Sequence, residues 1–246
     1  MRTRGEVSKQ PSDNDGYVTN TNSSGTWATA VGESAGSAVA EGGASVRVQL
    51  RKSGSNWILI RGYMNWDLSN IGIPRRGLKI ISANLALRCT SRSVADTNGD
   101  IVKLFKANVD HNGSDTNLAT GDFDAYSSTI KSKSEIQIAG TGNIDVPIDG
   151  PLLSYLQNRA RAGGQFSVFV LGKLDYDFEN QDDPAGLNRL FFASDGHSTA
   201  GLRPKIVIKY AVKGHQRNRR KGGGGGGFGE LHIPSSGISG FSGEKQ

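Results

Sequence analysis

Residues 63–89 read YMNWDLSNIGIPRRGLKIISANLALRC, and their pattern decides the fold. An apolar-alternating strand runs out near Asp67, a Pro- and Gly-containing connection reverses the chain, and a second alternating strand follows, which is how antiparallel sheet is written. In that second strand Ile81, Ala83, Leu85, Leu87 and Cys89 fall at every second position, with Ser82, Asn84, Ala86, Arg88 and Thr90 between them. Successive strand side chains point to opposite faces, so one face is packed and the other mostly wet. The expectation is an all-β protein, an antiparallel jelly-roll-like β-sandwich.

Upstream, residues 57–66 (WILIRGYMNW) divide in the same way. Ile58, Ile60, Gly62, Met64 and Trp66 share a face suited to the core. Trp57, Leu59, Arg61, Tyr63 and Asn65 share the other. If that second face is open to solvent, Trp57, Arg61, Tyr63 and Asn65 form the best candidate contact surface, since aromatics stack on sugar rings while amide and charged groups bond the hydroxyls. A protein-protein surface would use the same residues. Packing beneath the Gly/Ser-rich segment 22–45 or against a neighbouring subunit is the favoured reading, because Leu59 makes the face apolar.

These words resemble the carbohydrate-binding-module-like β-sandwich called the DNRLRE domain. The resemblance rests on Trp66-Asp67-Leu68-Ser69, then Ile81-Ser82-Ala83-Asn84-Leu85-Ala86-Leu87, with Asp15-Gly16-Tyr17-Val18 similar to an opening strand. Residues 202–210 (LRPKIVIKY) are similar to the closing strand, so the likeness covers about residues 15–212. The nearest counterpart of the namesake motif is Asn188-Arg189-Leu190. The resemblance implies a fold more strongly than a function.

One sandwich accommodates the chain of 246 residues, since all-β domains of about 200 residues are common. One helix is expected, over 152–161: Pro151 suits a first turn, Leu152, Leu153 and Leu156 share a side, and Gly163-Gly164 ends it. The expected organisation is an N-terminal arm over 1–14, the sandwich over 15–212 and a basic, Gly-rich C-terminal arm over 213–246. The net charge is +6, and Lys213, Arg217, Arg219, Arg220 and Lys221 supply five of those charges, leaving the remainder near neutral. A nucleic-acid-binding domain would carry a basic face on its folded body, so nucleic acid is not an expected partner. These five cations read instead as a docking arm. Six glycines, Gly222 to Gly227, follow. The N-terminal residues carry charge without an apolar run, and no stretch suits a membrane span, so neither a secretory signal nor a membrane partner is expected. Cys89 reads as a small buried hydrophobe.

No zinc-hydrolase, nucleophile-elbow, CxxC or phosphate-loop motif occurs, and no enzymatic activity is expected. The densest acidic stretch holds Asp175, Asp177 and Glu179, alternating as along an extended strand end, where a calcium site or a glycosidase pair is conceivable and a solvated loop is the favoured reading. Asp96, Asn98 and Asp100 have oxygen ligands at alternate positions, yet depart from an EF-hand at Ile101 and Ala107. Turn chemistry accounts for them equally well. The expectation is therefore no cofactor, with calcium the alternative at these loops.

A glycan-facing type of fold on a chain without an export signal suggests a virion of a tailed phage, made in the host cytoplasm. The expected role is a non-enzymatic structural protein decorating the capsid or attached to the tail. Its partners would be other virion proteins and copies of itself. The alternative is an adhesin module for cell-surface glycan.

Overall fold

A computed structural model describes residues 2–12, 15–22, 25–109, 118–180, 184 and 186–213. In chain order they form β1 (Arg2–Lys9), β2 (Gly16–Asn22), α1 (Trp27–Val31), β3 (Ala38–Glu41), β4 (Ser45–Ser53), β5 (Asn56–Asp67), β6 (Leu78–Ser93), β7 (Ile101–Ala107) and β8 (Tyr126–Lys131). They continue with β9 (Ile136–Gln137), β10 (Gly142–Ile148), α2 (Gly150–Ala162), β11 (Gln165–Gly172), α3 (Lys173–Tyr176), β12 (Asn188–Ala193) and β13 (Lys205–Lys213).

All strand pairings are antiparallel, and hydrogen bonding runs in the order β1-β13-β6-β12-β4-β5-β11-β7-β8, with β10 also on β6, β2 on β5, β3 on β2 and β9 on β7. Side chains from β6, β10 and β13 share one core with those of β5, β7 and β11, which makes the arrangement the expected sandwich. The path is continuous because β6 is sixteen residues long. It pairs with β13 from Leu78 to Ala86, then with β12 from Cys89 to Ser93.

The inward face of β6 differs from the expected one at a single point. Lys209 of β13 lies opposite Ser82, but the next residue, Tyr210, lies opposite Ile80, so Ile81 is the extra residue of a β-bulge. A bulge shifts side-chain alternation by one. Leu78 and Ile80 therefore point inward, Ile81 is 50% exposed, and the inward series resumes at Ala83, Leu85, Leu87 and Cys89.

The expected helix is α2, ended by Gly163 at φ 69 in the left-handed region, where glycine escapes the Cβ penalty. It buries Leu152, Leu156 and Ala160, while Leu153 is half-buried. Two single-turn helices, α1 and α3, join it, so the sandwich carries more than one. The first residues are a further correction. Read as an irregular arm, they include β1, which pairs along its whole length with the closing strand, Arg2 opposite Lys213 and Lys9 opposite Ile206. The cause is the bare edge that β13 would otherwise present.

Candidate functional site

Both faces of β5 are buried, and the face that carries Trp57 and Arg61 is roofed by Gly25 and α1, which lie within the Gly/Ser-rich segment 22–45. That segment folds because Thr26 caps α1, its hydroxyl accepting the Thr29 N–H at 3.3 Å, as threonine favours at an N-terminus. The cap sets Trp27 over the strand. Its ring lies 5.3 Å from that of Trp57, and its Nε1 donates to the Leu174 carbonyl at 3.2 Å. Trp57 Nε1 donates to the Gly25 carbonyl at 2.9 Å. Both indole N–H groups are thereby satisfied away from water, as burial demands.

Beneath this roof lies Arg61, with no exposed surface. Its Nε and Nη2 grip Asp175 in a two-pronged pair, both contacts 2.8 Å. Nη1 donates to the Phe123 carbonyl at 2.8 Å and Nη2 to the Val31 carbonyl at 3.0 Å. The guanidinium lies 4.0 Å from the centre of the Phe123 ring and 5.0 Å from that of Tyr126. Asp124, half-exposed, adds a second carboxylate at 3.5 Å. Burial works to neutralise Arg61, and the charge and hydrogen bonds of Asp175 outweigh it, holding the guanidinium above its ordinary value. One side chain of β5 thus ties together the end of α1, the turn at residues 120–124, β8 and α3.

Tyr63 and Asn65 complete the set. Tyr63 packs its ring 5.3 Å from Phe169. Asn65 donates to the Gln165 side chain at 3.1 Å and accepts from the Ser167 hydroxyl at 2.8 Å. Trp57, at 3% exposure, is the most open of Trp57, Arg61, Tyr63 and Asn65. A glycan or protein contact face at these four positions is corrected accordingly, since the cover is the protein's own chain.

The acidic stretch departs from its expected geometry too. Asp175 falls within α3 and Glu179 within a 3-10 turn at Phe178–Asn180, so they do not alternate along a strand. Asp175 points inward to Arg61, whereas Glu179 is exposed. Residues 181–183 lie outside the described residues. Asp96 accepts from the Gly186 N–H at 3.2 Å and the Asn188 amide at 2.5 Å, and Asp100 pairs with Arg92 at 2.7 Å and accepts from Gln137 at 3.3 Å. Asn98 holds a left-handed conformation, φ 65, which asparagine tolerates in turns. These side chains cross-link a turn to β12, β6 and β9. Among the described residues no group of three His, Cys, Asp or Glu side chains is placed to hold a metal ion.

Of the basic arm, Lys213 ends β13, its N–H bonded to the Gly77 carbonyl at 3.2 Å, and Arg217, Arg219, Arg220 and Lys221 lie outside the described residues. A cleft of about 470 Å³ beside α2 is lined by Lys79, Gln157, Arg161 and Lys213 among others. Arg161 is committed there to the Leu78 carbonyl at 2.6 Å, and Gln157 accepts the Ile80 N–H at 3.0 Å. No helix among the described residues is long and apolar enough to cross a membrane. No protein-family model matches the chain, and no curated protein matches it in sequence.

Proposed function

We propose that this chain is a non-enzymatic structural protein of a tailed-phage virion, decorating the capsid or attached to the tail. What supports the reading is the direction in which the aromatic side chains face. Among the described residues every Trp, Tyr and Phe is buried or half-buried, including the three tryptophans. A sugar-reading module of the DNRLRE-like kind needs exposed ring faces, and here the rings hold the sandwich together. Arg61, the most polar group of the supposed platform, is consumed by Asp175. On this reading the sandwich serves as a scaffold and joins its particle through its outer surface and the basic segment after residue 213.

The test is truncation after Lys213. The shortened protein is expected to keep the melting transition of the full chain and to fail to join its particle when the two are mixed. If the cations of residues 213–221 carry the attachment, it should weaken as salt rises, because charges in solvent are screened over a Debye length of about 8 Å at physiological ionic strength. A saturable glycan ligand bound by the full-length protein, with particle attachment unaffected by truncation, would overturn the reading in favour of an adhesin.

A further inference from the structure

The edges of the sheet are blunted unequally. β3 has four residues and β9 two, β10 contains Pro147, and β8 meets β7 through a break in register. Short length, proline and irregularity are the usual devices against edge pairing. β1 has none of them. It is eight residues long with an unbroken register to β13, and among the described residues no strand pairs with its outer edge.

Its charges are the remaining defence, and they are arranged as their own complement. Residues 4–6 read Arg-Gly-Glu. Arg4 and Glu6 are exposed, on the face opposite Gly5 and Val7, and Gly5 lies against the Tyr210 ring with no room for a Cβ. Two such strands laid antiparallel about Gly5 place Arg4 of each copy opposite Glu6 of the other, twice over. Directly opposed side chains have Cβ atoms about 4.5–5.5 Å apart, within reach of an ion pair. Glu6 already faces Lys209 across the β1–β13 pair, at 3.6 Å, so the second copy would extend an alternating row of charges, Lys209, Glu6, Arg4.

We propose that β1 is a self-recognition edge: two copies of this chain pair through it about a two-fold axis and join their sheets into one. The occupant is a second copy rather than an unrelated strand because an arbitrary partner would not supply a glutamate and an arginine in this order. The proposal is independent of the virion reading.

The experiment is sedimentation of the full-length protein over a concentration series at low salt, with Arg4→Glu, Glu6→Arg and the double exchange. The native chain is expected to dimerise. Each single change sets like charges opposite each other at two symmetric places and should weaken dimerisation about tenfold or more. The double exchange should restore it, which loss of a merely structural residue would not do. A monomer at all concentrations, single variants that dimerise as the native chain does, or a double exchange that fails to rescue while remaining folded would each overturn the proposal.

Discussion

Removing the carboxylate of Asp175 would leave the Arg61 guanidinium in a dry interior with two carbonyls, two ring faces and the half-exposed Asp124 around it. An uncompensated buried charge costs about 3–5 kcal/mol, a large part of a total stability of about 5–15 kcal/mol. Asp175→Asn should therefore lower the denaturant midpoint sharply without changing its slope. The paired change Arg61→Met with Asp175→Leu should recover most of the loss, because an apolar pair carries no desolvation cost; equal destabilisation by both variants would sink this account. Trp57→Ala removes a ring sealed under α1 and should cost about 3–5 kcal/mol, where an exposed sugar-stacking residue would leave the melting temperature unchanged. Acid acts at other residues. The Ser69 N–H and hydroxyl hold Asp67 below the ordinary 3.8. Partial burial pushes Asp149 and Glu135 upward, but the Ser134 and Lys133 bonds on Asp149, and Lys173, Tyr176 and Lys103 around Glu135, leave both lowered from 3.8 and 4.5. A carboxylate with a lowered folded-state value contributes stability that is fully present above its unfolded value and lost as pH falls through the folded one. Asp124, raised by burial despite Arg61, works the other way. With three such groups against one, the melting temperature should hold from pH 7 to about 5 and drop below about 4. A rise on acidification would contradict the balance.

Among the elements, β6 shows how far a strand can be read from its letters. Its alternation is legible from Ala83 to Cys89, where the ladder is regular, and slips at Ile81, because a bulge depends on the partner strand and Tyr210 lies far along the chain. Leu85→Asp and Ile80→Asp should both prevent folding, whereas Ile81→Asp and Arg88→Asp should be tolerated, as circular dichroism and thermal melts would reveal. Tolerance at Ile80 with collapse at Ile81 would mean that the bulge is misplaced by one residue. The roof over β5 was less legible. Trp57 and Leu59 were apolar enough to demand a cover, and segment 22–45 was a candidate, but its Gly- and Ser-rich composition concealed α1 and the placing of Trp27. Arg61 was harder still, since its carboxylate partner is 114 residues away and no local pattern joins them. Polar residues on a strand that alternates read as solvent-facing unless the partner in space is known.

For the molecule as a whole, the sandwich reading rested on alternation and turn chemistry, which are local, and these carried it. Which strand the first one pairs with is not local. The pairing of residues 2–9 with 205–213 makes the first and the last of the described strands neighbours, with a consequence for the order in which the protein can be made. A ribosome adds about 5–20 residues each second, so β1 emerges from the exit tunnel about 10–40 seconds before β13 does. Throughout that interval its inner edge, the one that β13 will cover, is without its partner. Nascent chains stalled before residue 205 should therefore be readily cleaved by protease within the first ten residues, and chains released after residue 213 should resist. Neighbouring ribosomes on one message would each carry a waiting copy of the same strand, and the crowding that stalls folding elsewhere would here bring like edges together before either molecule is finished.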